Sequence, residues 1–345
     1  MSSAIRQLAL MRWRSFYRAP GTMFWAFGFP IVLAIVLGTA FRNQKAEPAV
    51  VAVEAIGSEA EVEHVRALLA ASPDVKVSVL PQAEAEDALR TGKVSVLVVP
   101  GDARTYRFDP TRPPSRLARA IADDVLQRGE GRKDPTATKS ELVSEPGSRY
   151  IDFLIPGLIG INLMSSGLWG IGFSLGEMRT RKLLKRLVAT PMKKSELLLS
   201  FLIVRACLLV IELPPLLVFA WLSFDVGIRG SVVTLAVVAL AGAIVFAVIG
   251  LLVASRAENP QVVSGLINLV SLPMYLCSGV FFPSSRFPDW LQPVLHALPL
   301  TALIDAMRAV MIDGATLSAV ATRLAVLLFW GVASFAVALR LFKWG

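Results

Sequence analysis

The sequence predicts an all-α membrane fold: six transmembrane helices behind an N-terminal amphipathic elbow helix, plus a small α/β extracytoplasmic domain between the first and second spans. Three observations lead there. The chain is 54% hydrophobic and 18% charged, whereas soluble domains run at roughly 45–50% apolar with about a quarter of residues charged. The apolar excess falls in six runs, each near the roughly 20 residues that cross a bilayer. The basic residues, finally, are divided unequally between the segments that join those runs.

In chain order, residues 1–20 read as an elbow helix on the cytoplasmic surface. Ile5, Leu8, Trp13 and Phe16 face acyl chains while the arginines meet headgroups. Pro20-Gly21 bends the chain into a first span at 21–41. That run is about twice the length of a signal-peptide core, so it is read as a span and not as a cleaved leader. Residues 42–150 form the α/β domain. Valine-rich strands are expected at Pro48–Ala55, Val75–Leu80, Ser95–Val99 and Thr105–Phe108, with helices at Glu59–Ala71, Gln82–Thr91 and Ser115–Gln127. The remainder, 151–345, holds five spans: Ile151–Gly176, Leu198–Leu222, Ser231–Ala254, Val262–Phe282 and Ser318–Phe342. In lipid a backbone must satisfy its own hydrogen bonds, so each run is helical. The segment 283–317 is too long for a turn and too apolar for a linker. Its spacing from Leu300 to Met311 is helical, either re-entrant in the outer leaflet or flat at the interface.

The net charge of +9 could point to nucleic acid, but its distribution excludes that reading. Fourteen Lys and Arg lie in the segments 1–20, 177–197, 255–261 and 340–345, against four in the short opposite segments, Arg229, Arg286, Arg308 and Arg323. Positive loops stay inside, and the 42–150 segment is too long to count. Both termini are therefore expected in the cytoplasm, with the charge meeting anionic membrane lipids. Cys207 and Cys277 both lie in spans, which leaves no disulfide framework. His64 and His296 stand apart from any ligand set, so no metal is expected. No G-x-S-x-G and no G-x-x-x-x-G-K-[ST] occurs, which leaves no catalytic residue and no phosphate-cradling loop in this sequence.

Three groups of residues stand out as functional. The first is the basic loop at 177–197, from Glu177 and Arg179 through Leu183, Leu184, Arg186 and Leu187 to a hard stop at Thr190-Pro191. Its leucines form a stripe suited to a protein groove. Second, Arg205 and Glu212 place charge inside a span, which is costly enough to imply a role. Direct pairing across seven residues is a stretch, so Arg205 is expected to snorkel inward. Third, Asn162, Ser165, Ser166, Asn268, Ser271 and Tyr275 put small and polar groups on the second and fifth spans, serving either close packing or a passage.

The loop is similar to the E-x-R…R-L-x-x-T-P element of ABC-2 type transporter permeases, and Pro299-Leu300…Asp305-Ala306-Met307-Arg308 is similar to their P-L…D-A-x-R element. The elbow, the single span and the long outer domain come in the same order, so the resemblance covers nearly the whole chain. One departure is that Lys182-Leu183 stands where many members carry Gly-Thr. The resemblance implies a permease subunit of an ATP-driven exporter in a bacterial cytoplasmic membrane. It further implies a dimer with a second permease copy or paralogue and cytosolic ABC ATPase subunits docked on 177–191. ATP and Mg would be bound by those partners, with no cofactor in this chain. An amphipathic cargo would pass between the second and fifth spans of the two copies. The competing classes are a membrane-anchored sensor with a ligand-binding outer domain and an ion-coupled transporter that uses Glu212.

Overall fold

The computed structural model describes residues 24, 28–42, 48–101, 104–133, 135–136, 149–188, 194–257 and 259–342. The expected elbow helix and Thr190-Pro191 lie outside the described residues. The chain divides into two compact units, Asn43–Val143 and the remainder.

The smaller unit is built on four strands, β1 (Ala49–Glu54), β2 (Val75–Leu80), β3 (Val96–Val99) and β4 (Thr105–Arg107), in the order β2-β1-β3-β4. β1 runs parallel to β2 and β3, and β4 is antiparallel to β3. Successive side chains on a strand point to opposite faces, and each face has its own helices. Val51, Val53, Val96 and Val98 are buried with Leu69 of α2 (Glu59–Ala70) and Ala122 of α4 (Pro113–Gly129). Ala52 and Leu97 are buried with Ala85 and Ala88 of α3 (Gln82–Thr91). Ser58 caps α2 by accepting from Glu61 N–H at 3.3 Å, and Glu61 returns the bond to Ser58 N–H at 3.4 Å. Gly92, at φ 76°, ends α3 in the left-handed conformation that glycine adopts without penalty.

The larger unit is helical. It contains α1 (Phe29–Arg42), α5 (Tyr150–Thr180), α6 (Leu183–Val188), α7 (Lys194–Phe224), α8 (Val232–Ala254), α9 (Pro260–Cys277), α10 (Gln292–Ala297), α11 (Pro299–Met311) and α12 (Ala321–Leu341). Among the described residues, five helices (α5, α7, α8, α9 and α12) are long and apolar enough to cross a membrane. The first expected span is described only from Phe29, and that 14-residue part is too short to cross alone. α8 is apolar all round and packs against α5, α7, α11 and α12, as a central helix must.

Two glycines explain how close α5 and α8 come. A Cβ on Gly167 would lie 2.8–2.9 Å from Phe246 and the Ala247 nitrogen, and one on Gly250 would lie 2.9 Å from the Gly167 carbonyl. Only a hydrogen at both positions allows this crossing, the small-residue contact that lets membrane helices associate.

The segment after α9 folds inward. Asp289–Ala297 and α11 meet at 87°. Every residue of α11 from Leu300 to Met311 except Asp305 and Arg308 is buried, against α5, α8 and α12. By length and composition this bent pair is either a broken span or a re-entrant loop, with α11 packed inside the helical unit. Arg308 secures it, donating to Phe153 O at 3.0 Å and Gly279 O at 2.7 Å while its guanidinium lies 3.5 Å from the Phe153 ring centre. At the bend, Trp330 of α12 donates to Ala297 O at 2.8 Å.

Candidate functional site

The basic segment begins where α5 stops. Arg181 N–H still donates to the Glu177 carbonyl at 2.9 Å, but Lys182 turns to φ 58° and breaks the helix. That left-handed conformation is one glycine adopts freely and other residues pay for, and it falls at the position where Lys182 replaces a glycine of the resembled pattern. After it, α6 packs against the end of α5.

This packing divides the residues expected to face a partner into exposed and buried ones. Glu177 and Arg181 form an exposed ion pair at 2.7 Å, and Lys182 and Arg186 are also exposed. Leu184, by contrast, is 1% exposed and belongs to the unit's own core, with Leu183 half-buried against it. Two of the three leucines of the stripe, Leu183 and Leu184, thus contact this chain's own core. The Leu187 side chain, like Thr190 and Pro191, lies outside the described residues. Arg179 also turns inward, donating to Ala254 O at 3.0 Å, to Ser255 O at 2.9 Å and to Ala257 O. These carbonyls belong to the end of α8 and the turn that follows it, so Arg179 is an internal tie.

The intramembrane charges are joined. Arg205 Nη1 donates to Glu212 Oε2 at 2.6 Å, with side chains 2% and 1% exposed, and Ser166 Oγ donates to Glu212 Oε1 at 2.9 Å. Seven residues on a helix cover about 10 Å of rise, a gap two long side chains extended toward each other can close. The expected snorkelling is replaced by direct pairing with a carboxylate on the same helix. Two further donors of Arg205, Nε and Nη2, and the Nδ2 of buried Asn162 have no hydrogen-bond partner among the described residues.

Of the six passage candidates, the structure brings two together: Ser165 Oγ and Tyr275 Oη lie 2.6 Å apart, joining α5 to α9. Ser166 is turned to α7, Asn162 and Ser271 are buried, and Asn268 is exposed. The last shares the open face of α9 with Leu269 and Leu272. Sequence reasoning passed over three features: the Arg308 clamp, the Gly167–Gly250 crossing and the inward turn of Arg179. The first had a visible signal in the D-A-x-R tetrad; the other two depend on which neighbour each helix meets.

Known proteins bear on this arrangement. The chain is 27% identical over 202 residues to ABC transporter G family member 20 of Dictyostelium discoideum, a match covering 58% of this chain and 27% of that longer protein. It is 25% identical over 198 residues to Nodulation protein J of Bradyrhizobium diazoefficiens, covering 57% of this chain and 75% of the relative. It is 27% identical over 169 residues to Nodulation protein J of Sinorhizobium fredii, covering 48% and 64%. The family model described as "ABC-2 family transporter protein" matches residues 20–340. With that match spanning nearly the whole sequence and five helices fit to cross a bilayer, the chain belongs to the ABC-2 family as a multi-pass membrane permease.

Proposed function

We propose that this chain is the membrane subunit of an ATP-driven exporter in a bacterial cytoplasmic membrane. It works as a dimer with a second permease and carries an amphipathic drug, antibiotic or lipid-like molecule outward between the two copies. ATP and Mg are held by separate ABC ATPase subunits. The observation that carries this reading is the exposed basic segment at the end of α5, where Arg181, Lys182 and Arg186 stand clear of the helical unit in a chain of this family.

The charge distribution orients the reading. The division of basic residues, fourteen against four, supports a cytoplasmic position for 177–197 and both termini. The α/β unit then follows the first span on the extracytoplasmic side. The sequence contains no phosphate-cradling loop, so hydrolysis falls to a partner. Cargo passes along α5 and α9, where Ser165, Tyr275 and the exposed Asn268 give polar footholds on apolar helices. The Arg205–Glu212 pair holds α7 to itself and, through Ser166, to α5. A carboxylate so engaged serves to shape helix packing.

The test is co-purification with an ABC ATPase encoded beside this chain, from membranes solubilised in mild detergent. The unsubstituted chain should retain the ATPase, and the charge reversal Arg181→Glu/Arg186→Glu should release it with the permease still folded. Retention of the ATPase by the reversed variant would remove the segment from the interface, and failure of the unsubstituted chain to bind would remove the reading itself.

A further inference from the structure

We propose that Arg179 is a positioning residue that links the ATPase-facing segment to the turn between α8 and α9, so that motion of the first is passed to the second. This inference rests on the permease reading and adds to it the path by which movement at 177–188 reaches a passage helix.

The geometry is that of a helix end held by a cation. The last carbonyls of a helix have no partner within it and carry the negative end of its dipole. At the end of α8, Arg179 supplies the missing donors: Nη1 to Ala254 O at 3.0 Å and to Ala257 O, Nη2 to Ser255 O at 2.9 Å. The planar fork of a guanidinium can serve carbonyls that point in different directions, which one ammonium nitrogen cannot do. The turn so held is short and leads at once into α9, whose cap Asn259 accepts from Val262 N–H at 2.9 Å. One turn before Arg179, a Cβ on Gly176 would lie 3.1 Å from Val263, so the end of α5 and the start of α9 are already in contact. Farther along α9, Tyr275 meets Ser165 of α5. Arg179 is thus the polar tie in a contact that runs from the basic segment to the helix carrying Asn268.

Neighbouring charges do not share this role. Glu177 pairs with Arg181 on the exposed side of the same helix, and Arg186 is exposed on α6. The segment therefore has two faces. One is available to a partner, and the other, through Arg179, is fastened to α8 and α9.

The experiment uses the full chain in complex with its ATPase, with Cys207 and Cys277 replaced and a spin label at Gln261→Cys on α9, an exposed position. In the unsubstituted background, ATP should shift the distance distribution between the α9 labels of the two permease copies. Arg179→Gln should leave ATPase binding and the nucleotide-free distances unchanged while cutting the ATP-shifted population by roughly tenfold, within the range usual for coupling between two sites. Arg179→Lys, which keeps the charge but not the fork, should fall between the two. If Arg179→Gln is poorly folded, the Lys variant alone carries the comparison. A full ATP response in either variant overturns the proposal while leaving the permease reading intact. Loss of ATPase binding in Arg179→Gln overturns it in another way, by making Arg179 a docking residue. An α9 label that ignores ATP in the unsubstituted complex overturns it as well. Failure of the unsubstituted chain to bind an ATPase at all is the separate outcome that removes the permease reading.

Discussion

Arg205 and Glu212 compensate each other's burial, so their energetics are those of a pair. Removing one partner of a buried ion pair leaves an uncompensated charge and typically costs about 3–5 kcal/mol. Arg205→Ala should therefore lower the thermal stability of the detergent-solubilised protein sharply, and Glu212→Leu likewise. The double variant should recover much of the loss, giving a coupling that a double-mutant cycle reads directly; additive losses would show that the two charges act separately. A second prediction concerns Lys182, whose φ of 58° is costly for a side-chain-bearing residue. Lys182→Gly should stabilise the junction of α5 and α6 by up to about 1 kcal/mol, and Lys182→Ile should destabilise it by more. At this scale the sequence showed that charges lay within a span and that lysine stood in a glycine position. It did not show that Arg205 reaches Glu212 or that Arg179 and Leu184 face inward. A side chain's direction depends on the helix beside it, which spacing along one chain does not specify.

The helices themselves were more legible. Apolar runs mark α5, α7, α8, α9 and α12 because lipid demands about 20 such residues in succession. Alternating valines mark the strands because each face of the small sheet is covered. What spacing left open was the segment 283–317, where a re-entrant and an interfacial helix share the same periodicity. Its burial shows that α11 packs inside the helical unit, which periodicity alone did not specify. The crossing of α5 and α8 supplies the test at this scale. Gly167→Leu or Gly250→Leu would drive a side chain into the opposing backbone, and overpacking usually costs about 1–3 kcal/mol. Either variant should lower the melting temperature and expose the helix contact to proteolysis, while Gly170→Leu, at a glycine whose added Cβ would meet nothing within 4 Å, should not. Equal effects at all three positions would mean that the crossing is not a special contact.

For the whole molecule, the two units and the charge distribution make a prediction about topology. In a background lacking Cys207 and Cys277, single cysteines at Ser58 or Thr138 should react with an impermeant thiol reagent from outside intact cells, and one at Ser195 only after the membrane is opened. The reverse pattern would place 177–197 outside, beyond reach of any cytosolic ATPase. The family could be anticipated because it depends on composition and order along the chain. Cargo leaves no such trace, since Ser165, Tyr275 and Asn268 are polar points on apolar helices and specify no particular molecule. The central claim is that this chain moves its cargo on energy released by ATP in another subunit, and the direct measurement is transport in inverted vesicles containing the permease and its ATPase. Accumulation of an amphipathic fluorescent dye should be followed with ATP alone and then with an imposed proton gradient alone, for the unsubstituted chain and Glu212→Gln. The account predicts accumulation that requires ATP, is absent with the gradient alone and falls only modestly in Glu212→Gln. Accumulation driven by the gradient without ATP, and lost in Glu212→Gln, would contradict it.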